Sequence, residues 1–138
     1  MIIGRASVID GDTVEIRGRR IRLHGIDAPE GRQTCTTAAG RTWLCGQRAA
    51  NALADKVGQA TVRCAVRDRD RYGRDIAVCS VGREDLNRWM ATNGWAIAYR
   101  RYAQDYVADE ERARRARRGI WAGRFEIPWD WRRTHRGR

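Results

Sequence analysis

Two acidic motifs separated by a short hairpin constrain this chain more than any other feature. The first reads Asp-Gly-Asp-Thr-Val over residues 10–14, and the second reads Arg-Leu-His-Gly-Ile-Asp-Ala-Pro-Glu over residues 22–30. Between them, residues 18–19 read Gly-Arg, which is typical of a two-residue hairpin turn with glycine first. A hairpin brings the loop before its first strand close to the loop after its second. We therefore expect Asp12 and Asp27 to meet at one end of the strand pair.

Carboxylates gathered in this way suggest a specific chemistry. Oxygen ligands are those that a hard divalent cation such as calcium prefers. Arg22, at the start of the second motif, can hold phosphate oxygens in a bidentate fork. Turn and helix-cap chemistry explains either motif alone, because Asp-Gly is a common turn pair and Asp-Ala-Pro-Glu can cap a helix. The two motifs together, across a hairpin, favour a metal-assisted phosphodiesterase.

These residues resemble the staphylococcal nuclease (thermonuclease) family, and so does a further motif, Asp-Arg-Tyr-Gly-Arg, at residues 70–74. The resemblance implies an α+β fold, an OB-fold five-stranded β-barrel with three helices, which suits nucleic-acid binding on one face. We expect residues 1–121 to form this nuclease domain. Residues 122–138 are expected to be an aromatic and arginine-rich C-terminal extension that packs through Trp129 and Trp131.

The same resemblance implies a calcium site. Asp12 and Asp27 are the expected direct ligands, joined by the backbone carbonyl of Ala28. Asp10 is expected to lie near the ion without binding it directly. Most members of the family have threonine where this chain has Ala28, but a carbonyl ligand survives that difference.

The resemblance also assigns the chemistry. Glu30 is the expected general base for the attacking water, with a purely orienting role as the alternative. Arg22 and Arg74 are expected to flank the phosphate and to bind it more tightly as charge builds. The residues expected to line the nucleotide pocket are Arg71, Tyr72 and Tyr99, although barrel packing explains Tyr99 equally well. The family usually has another tyrosine two residues after Tyr99, where this chain has Arg101.

The resemblance therefore implies a calcium-dependent nuclease that acts on DNA and RNA and, like the family, leaves 3′-phosphate and 5′-hydroxyl ends. The alternative is a catalytically weak module of the same fold that binds nucleic acid or protein. A polyanion-binding protein would explain the basic charge but not the acidic motifs. A mechanism with two histidines is disfavoured, because His24 and His135 would both have to reach one phosphate. The complete set that favours the enzyme is Asp12, Arg22, Asp27, Glu30 and Arg74.

Positive charge is concentrated near the C-terminus. The formal net charge is +11, and residues 112–138 hold ten arginines against Glu126 and Asp130, a net charge of +8. Such an uneven basic charge favours nucleic acid as the partner. No obligate protein partner is evident. The four arginines at the end of the chain are expected to contact phosphates without taking part in the chemistry: Arg132, Arg133, Arg136 and Arg138.

Four cysteines lie in two local pairs. Cys35 and Cys45 bracket a polar loop, while Cys64 and Cys79 lie on two predicted strands around a turn. An even number in local pairs predicts two disulfides and an oxidising compartment, and the absence of a Cys-x-x-Cys spacing disfavours zinc. The first residues lack a signal peptide, and no apolar run could cross a bilayer. A cytosolic protein is the alternative, but the cysteines favour a secreted or periplasmic mature form.

Apolar spacing predicts the remaining elements. Polar residues 67–74 predict an exposed turn between two strands, and residues 95–99 predict a short extended segment. The predicted strands cover residues 6–9, 13–17, 20–24, 61–66 and 75–81, and the predicted helices cover residues 47–57, 84–93 and 105–118.

Overall fold

The fold is built on a β-sheet. Buried and exposed side chains alternate along its early strands, which places one face of the sheet on the core. The computed structural model describes residues 1–135. The strands are Ile2–Gly4 (β1), Ser7–Asp10 (β2), Thr13–Ile16 (β3), Arg19–Leu23 (β4), Ile26–Asp27 (β5), Cys35–Thr36 (β6), Thr42–Trp43 (β7), Val62–Arg69 (β8), Asp75–Val81 (β9), Glu84–Asp85 (β10) and Ile97–Ala98 (β11). The helices are Cys45–Val57 (α1), Leu86–Thr92 (α2), Val107–Arg115 (α3) and Pro128–Thr134 (α4), with a 3₁₀ turn at Gly119–Ala122.

Seven of the strands form one mixed sheet. Its order is β1-β8-β9-β4-β3-β2, with β10 added to β9. The pairing of β4 with β9 is parallel and places Arg22 opposite Ile76, whereas the other pairings in this sheet are antiparallel. Strands β5 and β11 form a separate antiparallel pair in which Asp27 lies opposite Ile97. The α+β, OB-like fold expected from the sequence is confirmed.

The main core lies between the sheet and the first three helices. Its largest fully buried side chains belong to β3, β4, β5, α1, α2 and the start of α3: Ile16, Ile21, Leu23, Ile26, Leu53, Leu86, Met90 and Tyr106. Burying one large apolar side chain stabilises a fold by about 1.5–3 kcal/mol. This core therefore holds the β3–β4 hairpin, and the motifs at its ends, in one place.

A second, smaller core anchors the C-terminal extension. It is centred on the Cys35–Cys45 disulfide with Ile97 and Ile120. Partly buried aromatic side chains pack against it: Trp43, Trp121, Phe125 and Trp129. The extension therefore packs on the rest of the fold through Trp129, as predicted, whereas Trp131 stacks on His135 in its own segment.

Both predicted disulfides are present. Cys35 is bonded to Cys45, and Cys64 on β8 is bonded to its direct partner Cys79 on β9. The first links β6 to the first residue of α1. Within the described residues, no helix is both long enough and apolar enough to cross a membrane.

The structure departs from the predicted elements mainly at their ends. Strand β8 continues through Arg69, because its charged residues pair with β9 while their side chains face solvent. The exposed turn is therefore shorter than predicted and is closed by a bond from the Asp70 N–H to the Arg74 carbonyl at 2.9 Å. Helix α2 begins only at Leu86, because the preceding two residues form β10. Strands β1, β5, β6, β7 and β10 and helix α4 were not predicted.

Candidate active site

Arg22 joins the two acidic motifs. It lies on β4 opposite Thr13, so its side chain lies at the open end of the hairpin, where the two motifs meet. Its Nη1 lies 3.2 Å from Asp12 Oδ2, and its Nη2 donates to Asp27 Oδ1 at 3.2 Å. Nη1 also donates to the carbonyl of Ile26 at 3.0 Å. Asp12 and Asp27 thus meet where the hairpin predicts.

The two aspartates are held rigidly. Asp27 ends β5 and is fully buried, and Asp12 is 6% exposed. The backbone N–H of Ala28 donates to Asp12 Oδ2 at 2.8 Å, and the Thr13 hydroxyl donates to Asp12 Oδ1 at 3.0 Å. The bond from Ala28 links one motif directly to the other. The carboxylates therefore form a preorganised acidic centre.

Burial makes the ionised form of these carboxylates unfavourable. Burial, together with the charges of Asp12 and Glu30, raises the pKa of Asp10 to about 6. Burial is also the largest cause of a raised pKa at Asp27, although the bond from Arg132 opposes it. Crowded carboxylates with raised pKa values are typical of sites that bind a cation or move a proton.

Glu30 is positioned by a buried glutamine. Its backbone N–H donates to Gln33 Oε1 at 3.2 Å, and its carbonyl accepts from the Gln33 N–H at 2.8 Å. Gln33 is fully buried, and its Nε2 donates to the carbonyl of Glu126 in the extension at 2.7 Å. The sequence offered no signal for Gln33, since it is one uncharged residue within a polar loop.

The loop that carries Glu30 also lies against the start of α1. A Cβ added to Gly46 would lie 1.6 Å from the carbonyl oxygen of Glu30. The Gly46 N–H donates to the Gln33 carbonyl at 3.1 Å. Glycine is therefore required at this position for helix and loop to approach so closely.

Arg132 lies within the acidic centre, whereas the sequence predicts that the terminal arginines only contact phosphates. Its Nη2 donates to Asp27 Oδ2 at 2.9 Å, and its Nη1 donates to Asp27 Oδ1 at 3.0 Å and to Glu30 Oε1 at 2.9 Å. Burial acts to lower the pKa of Arg132, but the bonds to Asp27 and Glu30 raise it above its usual range. Arg133 instead pairs with Asp130 on the same helix. The other two terminal arginines, at positions 136 and 138, lie outside the described residues.

A second group of predicted residues lies on the turn between β8 and β9. Arg74 Nε donates to Asp70 Oδ2 at 2.7 Å, and the Arg71 and Arg74 guanidinium groups lie 5.3 and 5.8 Å from the centre of the Tyr72 ring. Burial acts to raise the pKa of Asp70, but the bonds from Arg74 lower it below the usual value. A cleft of about 310 Å³ opens here between this turn and the β3–β4 turn, where Arg19 and Arg20 are among its lining residues together with Tyr72 and Arg74.

Tyr99 lies beside the acidic centre, as expected for a pocket residue. Burial and the charge of Asp27 raise its pKa. Its ring stacks on Trp129 with a centroid distance of 4.9 Å and an interplanar angle of 9°. The edge of the Tyr102 ring meets it at 4.7 Å. Tyr102 is mostly exposed and places an aromatic ring beside Tyr99, although the family's usual tyrosine is replaced by Arg101.

The two histidines lie in separate surroundings. His24 Nε2 lies 3.3 Å from Asp105 Oδ1, and its ring meets the edge of Tyr106. The His135 ring stacks on Trp131 at 4.0 Å. These contacts give no support to a two-histidine mechanism.

The donor set fits a hard cation only if the arginines move away. All four acidic side chains at the centre offer oxygen ligands. Burial and the neighbouring carboxylates raise the pKa of Asp10, and a bound cation would favour its ionised form. Among residues 1–135, however, no three acidic, histidine or cysteine side chains are gathered closely enough to hold a metal. The guanidinium groups of Arg22 and Arg132 occupy the space between the carboxylates. A cation that bound here would have to displace them from these oxygens.

Comparison with known proteins agrees with this geometry. Residues 20–123 match the model of the family described as staphylococcal nuclease homologue. An uncharacterized endonuclease of Haemophilus influenzae is 34% identical over 137 residues, which cover 94% of this chain and 71% of that protein. A micrococcal nuclease of Shigella flexneri is 34% identical over 146 residues, covering 92% and 78%. The succinoglycan biosynthesis protein ExoI of Rhizobium meliloti is 39% identical over 128 residues, covering 91% and 67%.

Proposed function

This chain belongs to the staphylococcal nuclease family and is a phosphodiester-hydrolysing nuclease, and we propose that it depends on calcium and cuts both DNA and RNA. The products would carry 3′-phosphate and 5′-hydroxyl ends. One observation supports the proposal most strongly. Arg22 bridges Asp12 and Asp27, and Arg132 bridges Asp27 and Glu30. The centre thus combines metal-binding carboxylates, a candidate base and a phosphate-binding arginine.

Asp12, Asp27 and the carbonyl of Ala28 would hold the calcium, with Asp10 nearby. The bound ion would supply positive charge to the phosphate and help to orient the attacking water. Oxygen-only ligation favours calcium over magnesium, which requires a stricter octahedral geometry.

Glu30 would accept the proton of the attacking water. A bond then forms between the water oxygen and phosphorus, and the bond from phosphorus to the 5′-oxygen breaks. The leaving 5′-oxygen takes a proton from solvent, and Glu30 returns its own proton to solvent. The fixed backbone of Glu30, held by Gln33, keeps the carboxylate directed at the centre.

Two arginines would stabilise the charge that develops on the phosphate. Arg22 reaches the centre from β4, and Arg74 lies two residues before Ile76, the residue that faces Arg22 across the sheet. Both guanidinium groups are now bonded to carboxylates, at Asp27 and Asp70 respectively. Their bonds to phosphate oxygens would strengthen as the transition state is approached.

The substrate would lie across the two groups of residues. Arg71 and Tyr72 lie on the exposed turn, and the Tyr72 side chain is available because it is 72% exposed. Tyr99 offers a ring beside the acidic centre. Stacking on aromatic rings tolerates any base, which agrees with a nuclease that is not specific for sugar or sequence.

We further propose that the protein works in an oxidising compartment, as a secreted or periplasmic enzyme. The two disulfides support this, because disulfides are rare in reducing compartments. The substrates would be its only required partners.

The alternative function is a binding module of the same fold. The completeness of the centre favours the enzyme, since a module that only binds has no need for Glu30 beside Asp27. Cleavage distinguishes the two directly.

The test is digestion of plasmid DNA and of RNA by the purified protein. We expect cleavage with calcium, loss of cleavage in chelator and recovery when calcium is returned. Glu30→Gln should lower turnover by about a hundredfold or more while changing KM less, because a general base contributes to the chemical step. Glu84→Gln, an exposed glutamate on β10, is the control. Full activity in chelator would overturn the proposal.

A further inference from the structure

The C-terminal helix reaches into the candidate active site. Arg132 bonds both carboxylate oxygens of Asp27 and one oxygen of Glu30, at 2.9–3.0 Å. Asp27 is fully buried and the Arg132 side chain is 35% exposed, so this contact lies inside the centre and not on the outer surface. The residue lies beyond the part of the chain that matches the family model, which ends at residue 123.

Packing holds α4 in this position. Pro128 at its first turn is buried, and Trp129 stacks on Tyr99. Just before the helix, the Glu126 carbonyl accepts from Gln33. Arg124 and Thr36 form an antiparallel bridge, with two backbone bonds of 2.8 Å. Arg132 therefore projects from an anchored element.

Arg132 lies beside the arginine already assigned to the phosphate. The Nη1 of Arg132 and the Nη2 of Arg22 donate to the same oxygen, Oδ1 of Asp27, at 3.0 and 3.2 Å. Two guanidinium groups that share one oxygen are close enough to bind a single phosphate group together. Their planar forks suit phosphate as well as carboxylate.

A cation at Asp27 would release both arginines together. Its ligands would be the oxygens that Arg22 and Arg132 now occupy, and like charges would repel the guanidinium groups. The scissile phosphate, bound to the cation, would offer new negative oxygens at the same place. Arg132, tethered through α4, would then be free to bind these phosphate oxygens together with Arg22.

We propose that Arg132 is a third catalytic arginine, which holds the carboxylates of the metal-free protein and transfers to the scissile phosphate when cation and substrate bind. This inference rests on the proposed function. The extension thereby completes the active site, with Arg132 binding phosphate and Trp129 supporting the ring of Tyr99.

The experiment compares Arg132→Ala and Arg132→Lys with the wild-type chain and with Arg83→Ala. Arg83 is the control, since it is an exposed arginine between β9 and β10 that is given no role in binding or catalysis. Turnover and KM are measured on a short oligodeoxynucleotide with calcium, calcium binding to the free protein by calorimetry, and folding by thermal unfolding.

We expect Arg132→Ala to lower turnover by about a hundredfold at saturating substrate, as for the loss of one preorganised donor. Arg132→Lys should fall by about tenfold or more, because lysine keeps the charge but lacks the fork. Calcium should bind the free Arg132→Ala protein more tightly, because a competing cation has been removed. Arg83→Ala should match the wild type in all three measurements.

Turnover at or above the wild-type level in Arg132→Ala, with tighter calcium binding, would overturn the inference and show that Arg132 only blocks the metal site. If Arg132→Ala does not fold, the turnover of Arg132→Lys tests the inference instead. Wild-type turnover in Arg132→Lys would overturn it. A wild-type chain that fails to cut nucleic acid with calcium would overturn the proposed function itself, and the inference with it. Wild-type cleavage alongside unaffected Arg132 variants overturns the inference alone.

Discussion

At the scale of single residues, Asp10 carries a charge that the metal-free fold disfavours. Burial and the charges of Asp12 and Glu30 raise its pKa from 3.8 to about 6. A carboxyl with a higher pKa in the folded protein than in the unfolded chain destabilises the fold when it is ionised. This contribution is absent at low pH and grows as the pH rises from about 4 through about 6. The residue therefore lowers stability at neutral pH unless a cation compensates for it.

Asp10→Asn should accordingly stabilise the calcium-free protein. The amide keeps an acceptor for the Gly31 N–H and removes the charge. We expect Tm to rise by a few degrees at pH 7, with the gain shrinking as the pH is lowered below about 6. Calcium should also reduce the gain, because the ion stabilises the wild-type carboxylate. Thermal unfolding across this pH range measures it, with the exposed Asp55→Asn on α1 as the control. A lower Tm for Asp10→Asn at pH 7 would contradict this account.

At the scale of elements, the start of α1 sets the position of the loop that carries Glu30. Gly46 lies in the first turn of the helix, and its N–H donates to the Gln33 carbonyl. The Cys35–Cys45 disulfide ties the same loop to the same turn. Helix, loop and disulfide therefore form one support for the candidate base.

Gly46→Ala should displace this support. The new Cβ would lie 1.6 Å from the Glu30 carbonyl oxygen, so the loop must move. We expect a loss of stability of about 1–3 kcal/mol, as for other overpacked sites, and a fall in turnover of about tenfold or more. Urea unfolding and kcat measure the two effects. Gly4→Ala is the control, because a Cβ there meets only side-chain atoms of Ile16 and Arg17. Unchanged turnover in Gly46→Ala would show that the loop adjusts without moving Glu30.

At the scale of the whole molecule, the distribution of positive charge is expected to govern the binding of nucleic acid. The net charge is +11, and much of it lies toward the C-terminus. The four terminal arginines, treated as one group in the sequence, have separate positions: Arg132 lies in the candidate active site, and Arg133 pairs with Asp130. For Arg133 and for residues 136 and 138, contact with phosphates away from the chemistry stays an untested prediction.

Two truncations test this division of roles. Ending the chain after His135 removes Arg136 and Arg138 and should flatten the log-log salt dependence of duplex-DNA binding by up to about two units, since each neutralised phosphate contributes about 0.9. Turnover at saturating substrate should stay unchanged. Ending the chain after Trp131 also removes Arg132 and should lower turnover. Binding titrations at several salt concentrations and kcat measure these effects. An unchanged salt slope after the shorter truncation would mean that the last arginines do not contact DNA.

Local features of the sequence were sufficient to predict the centre of the site. Asp12, Arg22 and Asp27 lie within sixteen residues along one hairpin, so a single turn and strand alternation bring them together. The Cys64–Cys79 bond follows in the same way from two adjacent strands. The catalytic and metal-binding roles of these residues remain predictions that the experiments above test.

Contacts between distant parts of the chain were decided only by the tertiary structure. Arg132 lies 105 residues from Asp27, and its place depends on how Trp129 and Pro128 seat a helix of seven residues. So short a helix has no periodicity that a sequence could reveal, and an arginine in a basic tail resembles its neighbours. Gln33 positions the backbone of Glu30 because the fold buries its side-chain amide between Glu30 and Glu126, and the amide bonds both. The sequence determined which charged groups the hairpin would gather, because those contacts are local; packing over the whole chain decided which further groups would meet them.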